Sequence, residues 1–385
     1  MKTPRLYTAG PVPIPEFVQS ELNKALIFHR EDEFKSMYQS MISGLQYVLH
    51  TENDVLAFPA SGTGAMEAAV SNLLSAGDRV LVIEQGKFSS RWSEICETFG
   101  VEVVKIVLPW RVSIEPERVK RALLSNEHIR AVLMPQCETS TGALNDIAEL
   151  SHVIHRNSEA VLVVDGISSI GAIPFEMDSW DVDVCVFSSN KGMMNPPGLA
   201  FISLNERAWK MVYSSSLPRY YFDLIRMRKA HTSGIGPVFT PAIPIVRGIN
   251  ASIDYMRKMT VRKLWERTGR LAHAFRTAIQ SLGLAIWPPE PSGALTVIGL
   301  PDSLDASEIQ YGLKKKHHMI LSGGQGELKG RVLRIGHYCD RSVDDYSDLL
   351  SALESVLIDM NWNIKKDMSV KIFRQSMNSQ RIDDV

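Results

Sequence analysis

One stretch of the 385-residue sequence indicates how the chain folds: Asp183-Val-Cys-Val-Phe-Ser-Ser-Asn-Lys191-Gly-Met-Met-Asn-Pro-Pro-Gly198. An apolar strand runs into a lysine and then into a Pro-Pro-Gly break, so the pattern places Lys191 at the carboxyl end of a strand. Open α/β sheets bind their ligands at that edge. An amine that is desolvated there has a lowered pKa and can attack a carbonyl to form a Schiff base. We therefore take Lys191 as the candidate reactive lysine; for a lysine considered alone, a solvated surface charge is the alternative.

Short apolar runs alternate with segments of helical period from about residue 55 to residue 205. The apolar runs are rich in Val, Leu and Ile, as expected for strands that are covered on both faces of a sheet. The alternation predicts an α/β fold with a mostly parallel, doubly wound sheet. The predicted strands are Val55–Phe58, Arg79–Ile83, Val101–Val107, Ala131–Met134, Ala160–Val164, Val182–Phe187 and Leu199–Ser203, and the predicted helices include Gly64–Ser75, Glu115–Leu124 and Asp146–Arg156.

The pattern changes after about residue 255, and the remainder predicts a smaller C-terminal α+β domain. Its predicted elements are a helix over Val261–Leu282, a strand over Ala294–Leu300, a helix over Ala306–His317, a loop over Gly323–Gly326, a strand over Val332–Ile335 and a helix from Val343. We expect an N-terminal segment (1–20), a large domain (21–255), a small domain (256–363) and a polar tail (364–385). The tail is expected to be a frayed helix or disordered.

Composition excludes several classes of function. Hydrophobic residues make up 45% and charged residues 22% of the chain, which is ordinary for a globular protein. The net charge of −1 gives no general attraction to nucleic acid or anionic membranes, and no apolar run is long enough to span a bilayer. The N-terminus has no secretory signal pattern. The four cysteines lack CxxC spacing, so we expect a cytoplasmic protein with no metal site and no disulfide framework.

A small-residue helix start follows the first predicted strand of the sheet. Ser61-Gly62-Thr63-Gly64 comes shortly after Phe58 and opens a helix. Small residues let the backbone close on an anion, and the N–H groups of a first helical turn favour negative charge. The pattern predicts a phosphate site, with a tight turn capped by Ser or Thr as the alternative. It has neither the lysine of a Walker motif nor the spacing of a dinucleotide site.

Further polar residues follow other predicted strands. Asp165 ends one predicted strand and Lys191 follows the end of the next, so both are expected in the same crevice. A buried carboxylate requires a partner, and metal ligation, helix capping and a protonated ring nitrogen are the candidates. Glu138-Thr139-Ser140-Thr141-Gly142 follows another strand and adds hydroxyl donors to this edge.

An aromatic residue and an arginine complete the set. Phe88 follows a strand and can stack on a flat ring, with plain core packing as the alternative. Arg334 lies within a strand of the small domain and can clamp a substrate carboxylate through two hydrogen bonds, with a salt bridge or solvent as the alternative. A reactive lysine, an aspartate for a ring nitrogen, a phosphate-binding helix start and a stacking aromatic are together the components of a pyridoxal-phosphate site.

The order of these motifs resembles that of the class V aminotransferases, a branch of the fold-type I pyridoxal-phosphate family, and the chain is most similar to alanine–glyoxylate and serine–glyoxylate aminotransferases. The resemblance covers nearly the whole chain. The motifs that carry it are Thr8-Ala-Gly10-Pro11-Val-Pro13, His29-Arg30, Ser61-Gly-Thr-Gly64, Glu138-Thr-Ser-Thr-Gly142, Val164-Asp165, Ser189-Asn190-Lys191-Gly192, Pro196-Pro-Gly-Leu-Ala-Phe201 and Arg334-Ile-Gly-His337.

The resemblance implies a role for each motif residue. Lys191 would bind pyridoxal 5'-phosphate as a Schiff base and then shuttle the proton, while Asp165 would keep the pyridine nitrogen protonated. The other residues implied to contact the cofactor are Ser61, Gly62, Thr63, Phe88, Thr139 and Asn190, and those implied to contact substrate are Gly10 and Arg334. The family is dimeric with shared active sites, which implies that Thr240 reaches the neighbour's phosphate site. The chain departs from the family in having Asn190 where Gln is common, and in Tyr338-Cys339-Asp340 after the arginine strand.

The leading hypothesis is an aminotransferase that moves an amino group between a small amino acid, of alanine or serine type, and a 2-oxo acid such as glyoxylate or pyruvate. A lyase or cysteine desulfurase that uses the same cofactor is a second interpretation, and Cys339 is its candidate catalytic thiol. The third is a subunit that binds the cofactor without turnover. The pairing of Lys191 with Asp165 argues against this third interpretation, because such a subunit needs no electron sink.

Overall fold

The computed structural model describes residues 4–338 and 340–379. Along this part of the chain the strands are β1 (Arg5–Leu6), β2 (Asp54–Phe58), β3 (Arg79–Glu84), β4 (Glu102–Val107), β5 (Ile129–Pro135), β6 (Val161–Asp165), β7 (Val184–Ser188), β8 (Ala200–Leu204), β9 (Ala285–Ile286), β10 (Leu295–Gly299), β11 (Met319–Ile320), β12 (Ser322–Gly323) and β13 (Val332–Gly336). The helices are α1 (Glu16–Leu22), α2 (Asp32–Leu49), α3 (Gly62–Leu73), α4 (Ser90–Thr98), α5 (Pro116–Ser125), α6 (Ile147–Asn157), α7 (Glu206–Ser214), α8 (Leu224–Thr232), α9 (Ile243–Met259), α10 (Val261–Ser281), α11 (Ala306–His317), α12 (Val343–Asp359) and α13 (Met368–Ser379).

Seven strands form the main sheet, in the order β2-β8-β7-β6-β5-β3-β4. Among them β8 runs antiparallel to both of its neighbours and the other pairings are parallel. Helices α2, α5, α6 and α9 contribute to the apolar core on one face, and α3, α4, α7 and α8 to the core on the other. Every residue of β6, β7 and β8 is buried, which explains their continuous apolar sequences. The predicted mostly parallel, doubly wound sheet is confirmed.

A second sheet follows, with the order β12-β13-β10-β9 and antiparallel pairing throughout. Helices α10, α11, α12 and α13 contribute to its apolar core. The predicted loop over Gly323–Gly326 is corrected at both ends. Gly323 pairs with Leu333 as the end of β12, and Gly326–Leu328 forms a 3₁₀ turn.

The N-terminal segment connects the two sheets. Strand β1 forms a separate two-stranded parallel sheet with β11 at the C-terminal side, and α1 then packs against α9 on the large sheet. The residues between them pass over the carboxyl ends of the central strands, where Ala9 and Gly10 reach Lys191. The N-terminus therefore contributes directly to the site.

The expected frayed or disordered tail is corrected for α13. Phe373 is fully buried in the C-terminal core, and the buried carboxylate of Glu354 accepts hydrogen bonds from the Asp367 and Ser369 backbone N–H groups at 2.6 and 2.7 Å. One aromatic anchor and one capping carboxylate thus fix a helix whose sequence is otherwise polar. Residues 380–385 of the expected tail lie outside the described residues.

Replacing Phe373 with Ala should lower the free energy of unfolding by about 3 kcal/mol, because it removes a buried aromatic ring and leaves a cavity. Urea unfolding followed by circular dichroism measures the change. The exposed Lys371 on the same helix provides the control, since Lys371→Ala should leave stability nearly unchanged. Equal stability of the two variants would contradict the packed position of α13.

Candidate active site

Lys191 lies three residues beyond β7 and is buried, as the sequence predicts. Its Nζ donates hydrogen bonds to the Ala9 carbonyl oxygen at 2.6 Å and to Ser168 Oγ at 3.3 Å. The ring centroid of Tyr338 is 5.9 Å from the same nitrogen. Burial, and after it the charge of Arg334, lowers the pKa of Lys191 to about 8. Near neutral pH a far larger fraction of this amine is therefore uncharged, and available as a nucleophile, than of an ordinary lysine.

Gly10 is in direct contact with this lysine. A Cβ at position 10 would lie 2.8 Å from Lys191 Nζ and 2.6 Å from its Cδ, and the backbone φ of +125° also favours glycine. The sequence-based prediction put Gly10 beside the substrate. The structure places it directly against the amine that would react.

Asp165 ends β6 and is almost fully buried. Its Oδ1 accepts a hydrogen bond from the Ile167 N–H at 2.8 Å. Desolvation is the main cause that raises the pKa of Asp165 to about 7. Among the described residues it has no ion-pair partner, although burial of a carboxylate favours one. The position suits a cationic group supplied by a ligand, such as a protonated ring nitrogen.

Thr139 follows β5 and connects to Lys191 through a residue that the sequence analysis did not select. The Thr139 hydroxyl and the Ser168 hydroxyl share a hydrogen bond, and Ser168 Oγ also accepts from the lysine amine. The sequence did offer a clue to Ser168, because this residue lies only three positions beyond the candidate aspartate, Asp165. The structure thus joins Lys191, Ser168 and Thr139 in one hydrogen-bond chain.

The helix start at Gly62 has the geometry expected of an anion site. Ser61 is the N-cap of α3, and its side chain makes no capping hydrogen bond, which removes the main support for the alternative of a simple capped turn. Thr63 Oγ1 accepts a hydrogen bond from Arg91 at 2.9 Å. Arg91 also lies over the ring of Phe88, 5.2 Å from its centroid. This arginine was missed by the sequence analysis, and it adds positive charge beside the helix start.

Phe88 is half-buried, in a loop that one carboxylate organises. Glu138 is fully buried and accepts hydrogen bonds from the backbone N–H groups of Phe88 at 3.2 Å and Ser89 at 2.7 Å. It also accepts from the Ser140 N–H at 3.0 Å and from the Ser140 hydroxyl at 2.6 Å. The motif that begins at Glu138 therefore positions the Phe88 loop in addition to supplying hydroxyl groups.

Arg334 reaches the site from β13 and is buried. Its Nε donates to the Gly323 carbonyl at 2.8 Å and its Nη1 to the Thr139 carbonyl at 3.0 Å. Within residues 4–338 and 340–379 it pairs with no carboxylate. A buried guanidinium that binds only neutral carbonyls retains the capacity to bind an anion.

Two predicted residues share no hydrogen bond with this cluster in the described part of the chain. Asn190 Oδ1 accepts a hydrogen bond from Ser188 Oγ at 2.9 Å, and Thr240 is exposed in the connection between α8 and α9. Cys339 lies outside the described residues. Within the described part of the chain, no group of three or more His, Cys, Asp or Glu side chains could hold a metal ion, and no helix is long and apolar enough to cross a membrane.

A doubly wound α/β sheet with a buried lysine and a buried aspartate at successive strand ends defines a pyridoxal-phosphate enzyme. The model of the family described as Aminotransferase class-V matches residues 17–327. The chain belongs to the class V aminotransferases and is a pyridoxal-phosphate-dependent enzyme. The residues fit this cofactor, because Asp165 has no cationic partner in the described part of the chain and the start of α3 with Arg91 offers donors to a phosphate.

Individual relatives include a hydrogenase subunit as well as aminotransferases. The chain is 36% identical to a soluble hydrogenase small subunit from Synechococcus sp. over 93% of its own length and 94% of the relative. It is 34% identical to an L-aspartate–glyoxylate aminotransferase from Paracoccus denitrificans over 86% of this chain and 85% of the relative. The crystal structure of an alanine–glyoxylate aminotransferase from Nostoc sp. superposes with a TM-score of 0.88 at 26% identity and covers 93% of this chain and 96% of that one. The resemblance drawn from the motifs is confirmed.

The pKa of Lys191 predicts how capture of the cofactor depends on pH. An amine with a pKa of about 8 is protonated below that pH, so the rate at which the apo chain binds pyridoxal 5'-phosphate covalently should rise through pH 8 and then level off. Absorbance in stopped-flow mixing measures the rate. A midpoint near the ordinary lysine value of 10.5 would contradict the buried position.

The variant Arg334→Gln tests the cause of this shift. It removes a positive charge that lowers the pKa of Lys191, so the midpoint should move to higher pH. Lys329→Gln removes an exposed charge of the small domain and should leave the midpoint in place.

Proposed function

We propose that the enzyme moves an amino group between a small α-amino acid and a 2-oxo acid such as glyoxylate or pyruvate. The observation that carries this proposal is the buried Arg334 guanidinium, which lies near the Lys191 amine and has no carboxylate partner among the described residues. Both substrates of a transamination carry a carboxylate, and a planar guanidinium binds a carboxylate through two parallel hydrogen bonds. Arg334 would bind this group of either substrate in the same orientation.

Each residue near Lys191 has a proposed task. Pyridoxal phosphate supplies the electron sink that acidifies the substrate Cα–H bond. Lys191 would remove the proton from the substrate Cα and deliver it to the cofactor carbon, which completes the 1,3-transfer. Asp165 would hold a protonated ring nitrogen. The burial of Asp165 favours this role, because a carboxylate in a desolvated site ionises readily only when a cation binds beside it.

The remaining contacts would hold the cofactor in place. Phe88 would cover the ring, and Thr139 would donate to its 3'-oxygen. The phosphate would lie at the start of α3, against the N–H groups of Gly62 and Thr63 and beside the Arg91 guanidinium. Ser61 and Asn190 would complete the polar surroundings of that phosphate.

The names of the two aminotransferase relatives support glyoxylate as the acceptor, since both include it. Alanine, serine and aspartate are the donors to try first. Gly10 supports a compact substrate, because a side chain at that position would collide with Lys191 and the N-terminal segment closes over the amine.

We infer that the enzyme acts as a cytoplasmic homodimer in which Thr240 reaches the partner's phosphate site. Thr240 is exposed within one chain, and the apolar residues Leu26, Phe28 and Ile235 are 71%, 59% and 53% exposed. Apolar side chains of this size favour burial in an interface. The free buried cysteines Cys96, Cys137 and Cys185 support a reducing compartment.

The Synechococcus relative favours a second candidate, because its name is that of a subunit of a larger enzyme. By that analogy the chain would bind the cofactor without turnover of its own. The desulfurase alternative depends on Cys339, which is outside the described residues.

A half-reaction screen tests the proposal against both alternatives. Alanine, serine or aspartate added singly to the yellow holoenzyme should bleach its visible absorbance, and glyoxylate should restore it. Lys191→Ala should abolish turnover while circular dichroism shows an intact fold. Colour that no amino acid changes would support the non-catalytic subunit, and sulfide released from cysteine would support a desulfurase.

Arg334→Lys should raise the KM for the amino and oxo acids by about tenfold or more, because an ammonium group cannot reproduce the two-pronged contact. Steady-state kinetics with alanine and glyoxylate measure the change. Arg331→Lys, at an exposed position just before the same strand, is the control and should leave KM unchanged. A KM unaffected by Arg334→Lys would remove this residue from the substrate site.

A further inference from the structure

A cavity of about 780 Å³ lies between the large sheet and helix α10, apart from the Lys191 site. Gln136, Ile147, Ile173 and Trp180 line it from the large-sheet side, while Trp265 and Arg276 line it from α10. Its lining residues include none of the residues that surround Lys191. The family match and the proposed transamination leave this cavity without a role.

Gln136 lines the cavity and carries a buried acceptor that has no hydrogen-bond partner. The residue is 3% exposed, and its Oε1 has no hydrogen-bond partner. Its Nε2 donates to the Pro174 carbonyl at 2.8 Å, which fixes the orientation of the amide. A buried amide oxygen without a donor is unfavourable, so a ligand that brings an N–H group to this oxygen would remove the penalty.

Arg276 brings a cation that lacks a counter-ion. Among the described residues its guanidinium donates one hydrogen bond, from Nη1 to the Ser292 carbonyl at 3.1 Å, and forms no ion pair. Burial lowers the pKa of Arg276 to about 10. At neutral pH the group is still charged, and an anion beside it would offset its desolvation.

The remaining surface defines the rest of the ligand. Trp180, Trp265 and Ile173 offer apolar and aromatic walls, whereas Glu266 and Glu290 are exposed acidic residues that line the cavity without a basic partner in the described chain. These two carboxylates favour a ligand that also carries a positive charge. The polar groups and apolar walls together fit a zwitterion with an apolar substituent.

We propose that this cavity is a second, non-catalytic site for a free α-amino acid with an apolar side chain. Its carboxylate binds Arg276, its ammonium group donates to Gln136 Oε1, and its side chain packs against Trp180 and Trp265. The ligand bridges helix α10 and the large sheet. Gln136 is also joined to the catalytic centre, because its backbone N–H donates to the Asp165 carbonyl at 3.0 Å.

Calorimetric titration of borohydride-reduced holoenzyme tests this site, because reduction stops the catalytic lysine from reacting with amino acids. L-leucine should bind with one site per chain and raise the melting temperature by mass action. The probes 4-methylpentanoate, which lacks the ammonium group, and 3-methylbutylamine, which lacks the carboxylate, should each bind about tenfold or more weakly.

Variants separate this cavity from the catalytic centre. Arg276→Gln should weaken L-leucine binding by about tenfold or more. Gln136→Leu provides a second test on the opposite wall and should also weaken it. Lys263→Gln removes an exposed charge from the same helix outside the cavity, and Arg334→Lys alters the catalytic centre; both should bind L-leucine as the parent does.

Three outcomes would overturn the proposal. They are an absence of L-leucine binding, binding that neither Arg276→Gln nor Gln136→Leu weakens, and binding of 4-methylpentanoate as tight as that of L-leucine. The titration measures binding without turnover. Its result is therefore independent of whether the transamination screen succeeds.

Discussion

The burial of one amine constrains the rest of the active site. Lys191 is removed from water by three parts of the chain that are distant in sequence: the N-terminal segment at Ala9, the turn after β6 at Ser168, and Tyr338 after β13. The amine is held by two hydrogen bonds to neutral acceptors, which permit it to lose its proton. The β1–β11 pairing fixes the N-terminal segment in place, so the burial of Lys191 depends on the docking of this segment against the C-terminal region.

Desolvation disfavours the charged form of each of three ionisable groups in the site. It raises the pKa of Asp165 and lowers the pKa of Lys191 and of Arg334, so each group loses stabilisation of its charged form. A cationic ring nitrogen beside Asp165 and a substrate carboxylate beside Arg334 would supply opposite charges to two of these groups. The fit of these residues to the cofactor thus rests on the absence of ion pairs at Asp165 and Arg334 among the described residues as much as on any single contact.

The sequence predicted the parts of this site that depend on strand ends. Lys191 and Asp165 could be found because buried parallel strands have a recognisable apolar pattern and end at one edge. Ser168 and Arg91 were missed because their roles arise from side-chain contacts across separate loops. Periodicity does not describe such contacts.

The C-terminal tail shows a different limit of sequence interpretation. Its composition is polar, and the order of α13 depends on one buried ring and one distant carboxylate, Phe373 and Glu354. A segment of low average hydrophobicity can therefore be firmly packed when its few apolar positions meet an existing core. Local propensity did not reveal this, because the stabilising partners lie on α10 and α12.

Glu138 fixes the backbone of the Phe88 loop independently of the side chain at position 88. Its carboxylate accepts four hydrogen bonds from the Phe88 loop and from Ser140, so the loop backbone is fixed without any contribution from the Phe88 ring. Another aromatic residue at position 88 would stand on the same backbone. A Trp or His side chain there would alter the polarity of the ring face while the position of the loop is retained. In the proposed site Phe88 would give the cofactor ring an apolar face. Substrate specificity would then come from other residues near Lys191, such as Gly10 and Arg334.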